Sequence, residues 1–344
     1  MTAAPAASAS PRTPFRDRSL TVHLLTTEAH AEAARDLAAA LESPVQTPGC
    51  NCCIYVAAEP SELPALARAA ARAAKQDGIL VAVGGDGSLN AVAQAAWEQD
   101  VPMSALACGT FNFFAREHGL PDTPERAAAV LQDAFEHGLP TPVQVGRVND
   151  RVFLVNASLG LYPELLVERE QASRRFGRHR LVALISAAWS IAGGIRRKLL
   201  TISGCPTEAG EGLAPFHATT LFAGRNTLQL ARLGMPDTRK IAAGALGVIV
   251  HQPESRWSLA GLLLRAACGM LTTHPRIHSF AAGAFEVAPT RPGRRQRMLV
   301  ACDGEPLPMT LPLHFSVEAR PLRLLAPRDA LAEVRPPLRA DCAA

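Results

Sequence analysis

Residues 84–88, Gly-Gly-Asp-Gly-Ser, form a glycine-rich loop of a kind that can hold phosphate. The loop lies between the apolar run 79–83, typical of a parallel strand buried on both faces, and a stretch with helical character at 89–97. Glycines let backbone N–H groups turn toward an anion, and a helix N-terminus adds favourable partial charge. The pattern is neither GxGxxG nor GxxxxGK[ST], because Lys is absent and Asp86 occupies the centre. A carboxylate beside phosphates needs a divalent cation or a hydroxyl as partner. The alternative interpretation of residues 84–88 is a tight turn without a ligand.

A second loop, Cys-Gly-Thr-Phe-Asn at 108–112, follows a predicted strand at 103–107 and opens a predicted helix at 112–118. Its Thr and Asn side chains offer polar groups to a nucleotide. Neighbouring parallel strands end at the same sheet edge, so we expect the two loops to face one another. Taken alone, Thr110 and Asn112 are more often helix caps than ligand contacts.

The elements around these loops predict an α/β fold with two lobes. Strands and helices alternate in the first part of the chain, which indicates a doubly wound α/β lobe. From about residue 143 the predicted elements become mainly strands. The predicted strands of this second part are 152–157, 218–223, 245–250, 277–288, 298–302 and 314–317. We therefore divide the chain into a tail (1–18), an α/β lobe that carries both candidate nucleotide-binding loops (19–142), a β-rich lobe (143–320), a strand that could return to the first lobe (321–330) and a second tail (331–344).

Composition excludes several classes of protein. With 344 residues, 48% hydrophobic and 19% charged, the chain has enough apolar material for packed cores, which argues against disorder. A net charge of +4 does not favour nucleic acid as a partner. Eight unevenly spaced cysteines fit a reducing cytoplasm better than a disulfide framework. The first 18 residues lack the apolar core of a secretory signal.

Two apolar stretches, 181–195 and 259–271, are too short for a bilayer span. Basic residues flank the first of them, at 169–180 and 196–198, so it could rest on an anionic lipid surface. A core helix with charged ends is the commoner explanation. The sequence does not specify an oligomeric state.

The two loops together resemble the diacylglycerol kinase catalytic domain family, which includes bacterial diacylglycerol kinases, sphingosine kinases and ceramide kinases. The resemblance rests on GGDGSLNAV at 84–92 and GTFNFFAREHGLP at 109–121, with further similarity in FLVNASLG at 153–160 and ACDGEPLP at 301–308. It implies an N-terminal lobe akin to NAD kinases and phosphofructokinases that binds ATP. It also implies a β-rich lobe that holds lipid, with the active site in the cleft between them.

The resemblance assigns roles to individual residues. The second nucleotide-binding group would be Gly109, Thr110 and Asn112, and Asp86 could also position Mg²⁺. Asp303 and Glu305, from an Asp-Gly-Glu motif, would supply the catalytic base and its support, in an order that the sequence leaves open. Without the resemblance, Asp303-Gly304 would be taken for a β-turn. The implied phosphate-loop contacts are Gly84, Gly85, Asp86, Gly87, Ser88 and Asn90.

The implied reaction is transfer of the γ-phosphoryl group of ATP to a lipid hydroxyl, with Mg²⁺ and a carboxylate base. The partners would be ATP, a lipid such as diacylglycerol or a sphingoid base, and the cytoplasmic face of the inner membrane. The alternatives are a noncatalytic nucleotide- or lipid-binding member of the family and a kinase of a soluble substrate such as NAD.

The sequence departs from the family pattern at several positions. The usual Asn-Pro-x-x-Gly loop after the first strand is replaced by Leu-Leu-Thr-Thr-Glu at 24–28. Ala57 or Ala58 stands where the family has a threonine. The Asp-Asp-Gly that holds a structural magnesium in bacterial members aligns with Ala-Ala-Gly at 242–244, which predicts that this metal site is lost.

Overall fold

The fold is taken from a computed structural model of the chain. It describes residues 20–42, 50–74, 78–137, 140–160, 163, 199–204, 215–235, 239–251, 277–290 and 296–327.

Among the residues described, the first lobe is built on a six-stranded, mostly parallel sheet. Five of its strands run parallel in the order β2-β1-β3-β4-β18, and β5 closes the edge antiparallel to β18. The strands are β1 (Leu20–Thr27), β2 (Cys50–Ala57), β3 (Gly78–Gly84), β4 (Met103–Ala107), β5 (Thr141–Val143) and β18 (Leu322–Leu324). Every residue of β3 and β4 is buried, as expected for central strands covered on both faces.

Helices cover both faces of this sheet. Alanine-rich faces of α2 and α3 pack together on one side, while α1 and α5 pack on the other. The helices are α1 (Ala31–Leu41), α2 (Leu63–Ala74), α3 (Asp86–Gln99), α4 (Phe113–Glu117) and α5 (Pro124–His137), with 3₁₀ turns at Glu28–His30 and Pro60–Glu62. The doubly wound lobe that the sequence predicts is therefore confirmed.

In the part of the chain that the structure describes, the second lobe contains two antiparallel sheets. The first has the order β10-β9-β14-β17-β6-β7 and the second β13-β12-β11-β8-β15-β16. A shared core, including Phe153, Phe285, Phe315, Val248 and Val300, joins them. The strands of the first sheet are β6 (Gly146–Val148), β7 (Arg151–Phe153), β9 (Leu200–Ser203), β10 (Phe216–Ala218), β14 (Ala284–Pro289) and β17 (Leu313–Val317). Those of the second are β8 (Asn156–Leu159), β11 (Thr220–Gly224), β12 (Leu246–His251), β13 (Ile277–Ala282), β15 (Arg297–Cys302) and β16 (Glu305–Thr310), with helices α6 (Thr227–Arg232) and α7 (Arg239–Ala242). The β-rich second lobe is thus confirmed.

Two predicted strands are each divided between the sheets. The run 152–157 separates into β7 and β8, because the N–H groups of Leu154, Val155 and Asn156 donate to a carboxylate, that of Asp303. The run 277–288 separates into β13 and β14 at Gly283, whose carbonyl accepts the N–H of Val317. Hydrophobic pattern alone cannot show such breaks, since the apolar residues continue through them.

The chain returns to the first lobe at the last strand of the described residues. Leu322–Leu324 inserts between β4 and β5, where Leu324 pairs with Met103, and Ser104 Oγ donates to the carbonyl of Leu325 at 2.8 Å. The sheet of the first lobe is therefore completed by residues that follow the whole second lobe.

Several predicted features lie outside the described residues. They are the tails 1–18 and 331–344, the basic and apolar stretch 169–198, and the apolar stretch 259–271. None of the described helices is long and apolar enough to span a bilayer.

Truncating the returning strand should destabilise the protein. Leu324 is fully buried, so Leu324→Ala is expected to lower the free energy of unfolding by about 2–5 kcal/mol in urea titrations. The matched control is Leu228→Ala, at a side chain that is 44% exposed, which should change it by no more than about 0.5 kcal/mol. Equal effects of the two substitutions would contradict the placement of this strand.

Candidate active site

The first glycine loop ends in a helix N-terminus. Helix α3 begins at Asp86, three residues before the predicted start, because Gly85 is its N-cap and the Leu89 N–H donates to the Gly85 carbonyl at 3.0 Å. The N–H groups of the first helical turn, 86–88, precede the first intrahelical bond and are therefore available to an anion. The geometry of this loop suits a phosphate group.

The two glycine loops touch through their backbones. A β-carbon built on Gly109 would lie 2.6 Å from the α-carbon of Gly85, a separation that real side chains do not tolerate. The Cys108 N–H also donates to the Gly84 carbonyl at 2.9 Å. The sequence prediction that the loops face each other agrees with this contact, and the contact explains why residue 109 is glycine. A β-carbon built on Gly85 would lie 3.3 Å from the α-carbon of Gly109, which is tight.

Asn112 stabilises the second loop from within. Its backbone is left-handed, with φ of 47°, and its Nδ2 donates to the carbonyls of Gly109 at 2.7 Å and Ala107 at 3.3 Å. Its own N–H donates to Asp86 Oδ2 at 3.0 Å, which connects the two loops. Thr110 is exposed at the tip of the loop.

Asp86 keeps one carboxylate oxygen unused. Oδ1 is buried and has no hydrogen-bond partner among the described residues, whereas Oδ2 accepts the Asn112 N–H. Burial raises the pKa of Asp86, and hydrogen bonds from the backbone of Asn112 and Phe113 oppose this rise. A buried, unpaired carboxylate oxygen beside a loop whose geometry suits phosphate fits Mg²⁺, which is usually held by one or two carboxylates together with substrate phosphates. The described residues contain no group of three or more His, Cys, Asp or Glu side chains that could hold a metal ion.

Asp303 lies at the centre of the interface between the lobes. Oδ1 accepts the N–H groups of Val155 at 2.8 Å and Asn156 at 2.9 Å, while Oδ2 accepts Leu154 N–H and Asn90 Nδ2, both at 2.7 Å. Desolvation raises the pKa of Asp303 to about 6, against the effect of these four hydrogen bonds, which favour the ionised form. Four donors occupy the acceptor positions of the carboxylate.

Glu305 lies against the first glycine loop. A β-carbon built on Gly87 would be 2.8 Å from Glu305 Oε1, so the acidic residue of the second lobe touches the loop of the first. Burial raises the pKa of Glu305; nearby Asp303 raises it further, while Arg151 lowers it. Unlike Asp303, Glu305 has no hydrogen bond from the described residues to its carboxylate. The two predicted features thus meet although more than 200 residues separate them.

Asn90 faces the second lobe and not the loop. It is fully buried on α3, and its Nδ2 donates to the Val152 carbonyl at 3.1 Å as well as to Asp303. One helical turn further, Gln94 accepts the Val152 N–H at 2.8 Å and donates to the Asp150 carbonyl. This polar face of α3 therefore holds residues 150–152, which directly precede the three backbone N–H groups (154–156) that bind Asp303.

Glu117 and His30 were not predicted from the sequence. Glu117, at the end of α4, is bound by residues of the second lobe that lie more than 100 positions away. His30 ends the 3₁₀ turn after β1, and its Cδ2 lies 3.6 Å from a β-carbon built on Gly84. His30 therefore lies beside the first glycine loop. It follows residues 24–28, which replace the Asn-Pro-x-x-Gly loop of the family pattern. No local pattern marks either residue.

A cavity of about 680 Å³ borders the second loop. Thr110, Phe111 and Asn112 line one side of it, and Arg116 and Arg126 add positive charge. The remaining lining is largely apolar and comes from the end of β4, the turn at 119–122 and α5.

Comparison with known proteins finds similarity mainly in the first lobe. Residues 20–148 match the family model of the diacylglycerol kinase catalytic domain, which confirms the resemblance indicated by the motifs. The chain is 39% identical over 83 residues to a "Probable lipid kinase YegS-like" of Pseudomonas aeruginosa and 36% identical over 85 residues to one of Enterobacter sp.. These alignments cover 24% of this chain and only 26% and 27% of the relatives.

Solved structures share the fold over nearly the whole chain. The structure of a diacylglycerol kinase from Bacillus anthracis str. Sterne superposes with a TM-score of 0.58 at 14% identity, covering 91% of this chain and 98% of that one. Another structure from the same organism gives 0.61 at 16% identity, covering 95% and 100%. At these identities the likeness shows the two-lobed fold.

Removing the Asn90 amide should weaken the interface in a pH-dependent way. The amide stabilises the ionised form of Asp303, so Asn90→Ala is expected to cost about 1–3 kcal/mol of unfolding free energy at pH 8. At pH 5, below the pKa of about 6, Asp303 is protonated in the folded protein and the cost should be smaller. Urea unfolding at both pH values measures this, with Gln99→Ala on the same helix as control. A cost that is equal at pH 5 and pH 8 would refute the ionic character of this contact.

Proposed function

We propose that this chain is an ATP-dependent lipid kinase, which transfers the γ-phosphoryl group of ATP to the hydroxyl of a lipid such as diacylglycerol or a sphingoid base. The observation that carries the proposal is the contact between Gly87 of the phosphate loop and Glu305 of the second lobe. It gives a carboxylate access to the position where a phosphoryl group would be transferred. The match of residues 20–148 to the diacylglycerol kinase catalytic domain supports the same reaction.

The nucleotide would be held mainly by backbone groups. In this proposal the triphosphate lies on Gly84, Gly85, Gly87 and Ser88, with the free N–H groups of the first turn of α3 directed toward it. The second wall would be Gly109, Thr110 and Asn112. Asn112 would act chiefly by shaping that wall, because its amide nitrogen already donates to two carbonyls.

Asp86 is the residue that would hold Mg²⁺, through its unpaired Oδ1. When bound, the ion would neutralise charge on the phosphate oxygens during transfer. Asp86 Oδ2 remains with the Asn112 N–H, so the same side chain would fix the relative position of the two loops.

Glu305 is the better candidate for the general base. A base must accept a proton, and the Glu305 carboxylate has oxygens that no described group occupies, whereas both Asp303 oxygens accept two hydrogen bonds each. Glu305 would take the proton from the lipid hydroxyl as that oxygen attacks the γ-phosphorus. Asp303 would hold the acidic loop in place, and Asn90 would support Asp303 instead of contacting phosphate.

The lipid would reach this site from a membrane surface. Phe111 in the second loop is 61% exposed and stacks on Phe113, and Arg232 lies over the Phe113 ring at 5.5 Å. An exposed aromatic side chain next to an arginine suits the interface of an anionic bilayer. We therefore propose peripheral association with the cytoplasmic face of the membrane.

Replacing the base should abolish transfer while sparing nucleotide binding. Glu305→Gln keeps the shape but cannot accept the proton, so kcat is expected to fall by at least about 100-fold in a radiolabelled-ATP assay with lipid vesicles. The affinity for a nonhydrolysable ATP analogue should stay within about threefold, since general bases act in the transition state and not in binding. Glu32→Gln, on the exposed face of α1, is the control.

Other outcomes of this assay would select the alternatives. Nucleotide binding by the wild type without a product from any lipid would indicate a noncatalytic protein. Phosphorylation of NAD without vesicles would indicate a soluble-substrate kinase. Full activity of Glu305→Gln would exclude Glu305 as the base.

The pH dependence of kcat/KM should report the surroundings of Glu305. Its raised pKa predicts that activity is lost on acidification at a pH above the ordinary value for Glu. Because Arg151 lowers this pKa, Arg151→Gln should shift the acidic limb to higher pH, by up to about 1 unit. Arg35→Gln on α1 should leave the limb in place, and an unchanged or lowered limb in Arg151→Gln would contradict the assignment.

A further inference from the structure

Glu117 is held by the second lobe with both carboxylate oxygens. Oε1 accepts the Thr227 N–H at 2.8 Å and the Thr227 hydroxyl at 2.6 Å, and Oε2 accepts Asn226 Nδ2 at 2.7 Å. Arg225 adds a favourable charge interaction, while burial raises the pKa of Glu117. Charge-assisted hydrogen bonds of this length are strong and directional. Glu117 therefore fixes the end of α4 against the start of α6.

Asn226 uses its polar groups to join the same two elements. Its Nδ2 also donates to the Phe113 carbonyl at 3.0 Å, and its Oδ1 accepts the Gln229 N–H at 2.8 Å as the N-cap of α6. Its backbone N–H donates to the Val155 carbonyl at 3.3 Å, where the Arg225 N–H also donates, at 2.8 Å. The contact with α4 thus continues directly into the segment that binds Asp303.

These contacts form a closed ring around the candidate site. From Val155 the ring passes through its N–H to Asp303, and from Asp303 to Asn90 on α3. Helix α3 begins at Asp86, whose carboxylate accepts the N–H of Asn112, the residue before α4. Helix α4 leads back to Glu117. The ring therefore links the first loop, the second loop and the acidic loop through both lobes.

Arg225, the residue before Asn226, anchors the part of the ring that lies in the second lobe. Its guanidinium donates to the Ile241 carbonyl and to Gln144 Oε1, the latter at 3.1 Å. His118, next to Glu117, stays neutral near neutral pH, because burial lowers its pKa to about 4. A neutral His118 does not repel the Arg225 guanidinium, so Arg225 can remain close to Glu117.

We propose that Glu117 is a positioning residue for phosphoryl transfer, which sets the distance between the nucleotide wall at 109–112 and the acidic loop that carries Glu305. This inference rests on the proposed kinase function. Loss of the Glu117 contacts would let α4 move relative to α6 and so misplace the two parts of the site. Misplacement by about 1 Å can cost as much as about 100-fold in rate.

The test compares Glu117→Gln with Glu125→Gln, the same change on an exposed position of α5. In Glu117→Gln the new amide group is itself a donor. It would face either Asn226 Nδ2 or the N–H and hydroxyl of Thr227, which are also donors, so at least one of the present hydrogen bonds is lost. We expect kcat to fall by about 10- to 100-fold, with the KM for ATP within about threefold of wild type. Thr227→Val, which removes the hydroxyl donor, should also lower kcat. Thr227→Ser keeps both donors and should retain the wild-type kcat. Unchanged kcat in folded Glu117→Gln would overturn the proposal.

Hydrogen exchange separates positioning from local stability without requiring turnover. If Glu117 positions the loops, Glu117→Gln should speed amide exchange both at 109–112 and at 154–156, across the ring. A purely local role would speed exchange only in α4 and α6, and that result would overturn the proposal even if the melting temperature fell. Should wild-type protein phosphorylate no acceptor, the kinase function fails, while the exchange pattern still decides whether Glu117 couples the two loops.

Discussion

The structure depends on one buried carboxylate. Asp303 accepts hydrogen bonds from Asn90 of the first lobe and from the successive N–H groups of Leu154, Val155 and Asn156. Burying a charge is costly unless it is fully hydrogen-bonded, so these donors cannot be withdrawn one at a time without a large penalty. The same bonds divide a strand in two, orient the acidic loop and hold the lobes together.

The two lobes contribute different chemical groups to the candidate site. The first lobe contributes backbone amides and two glycines in direct contact, Gly85 and Gly109, of which Gly109 has no room for a side chain. The second lobe contributes carboxylates on a turn, with Asp303 in the left-handed region at φ of 48°. Lysine occurs only at positions 75, 198 and 240, outside both loops, so in the proposed function helix and loop amides, and not an ammonium group of either loop, would hold the phosphates.

The sequence predicted features that are encoded locally. The apolar run 79–83, the glycine loops and the β-rich texture after residue 143 each carry their signal within a few residues, and the fold follows them. The roles of Asn90 and Glu117 could not be predicted, since each is defined by partners more than 60 positions away. Nor could the break in 152–157, because it is caused by a carboxylate and not by turn residues.

The returning strand β18 also bears on the order in which the protein can fold during synthesis. The first lobe needs Leu322–Leu324 between β4 and β5, so its sheet stays open while the ribosome makes the entire second lobe. Domains usually fold as units from the N-terminus as they emerge. Here the first lobe must instead wait until residues 322–324 have been made, and a nascent chain stalled before residue 322 would expose the unpaired edge of β4 to chaperones and proteases.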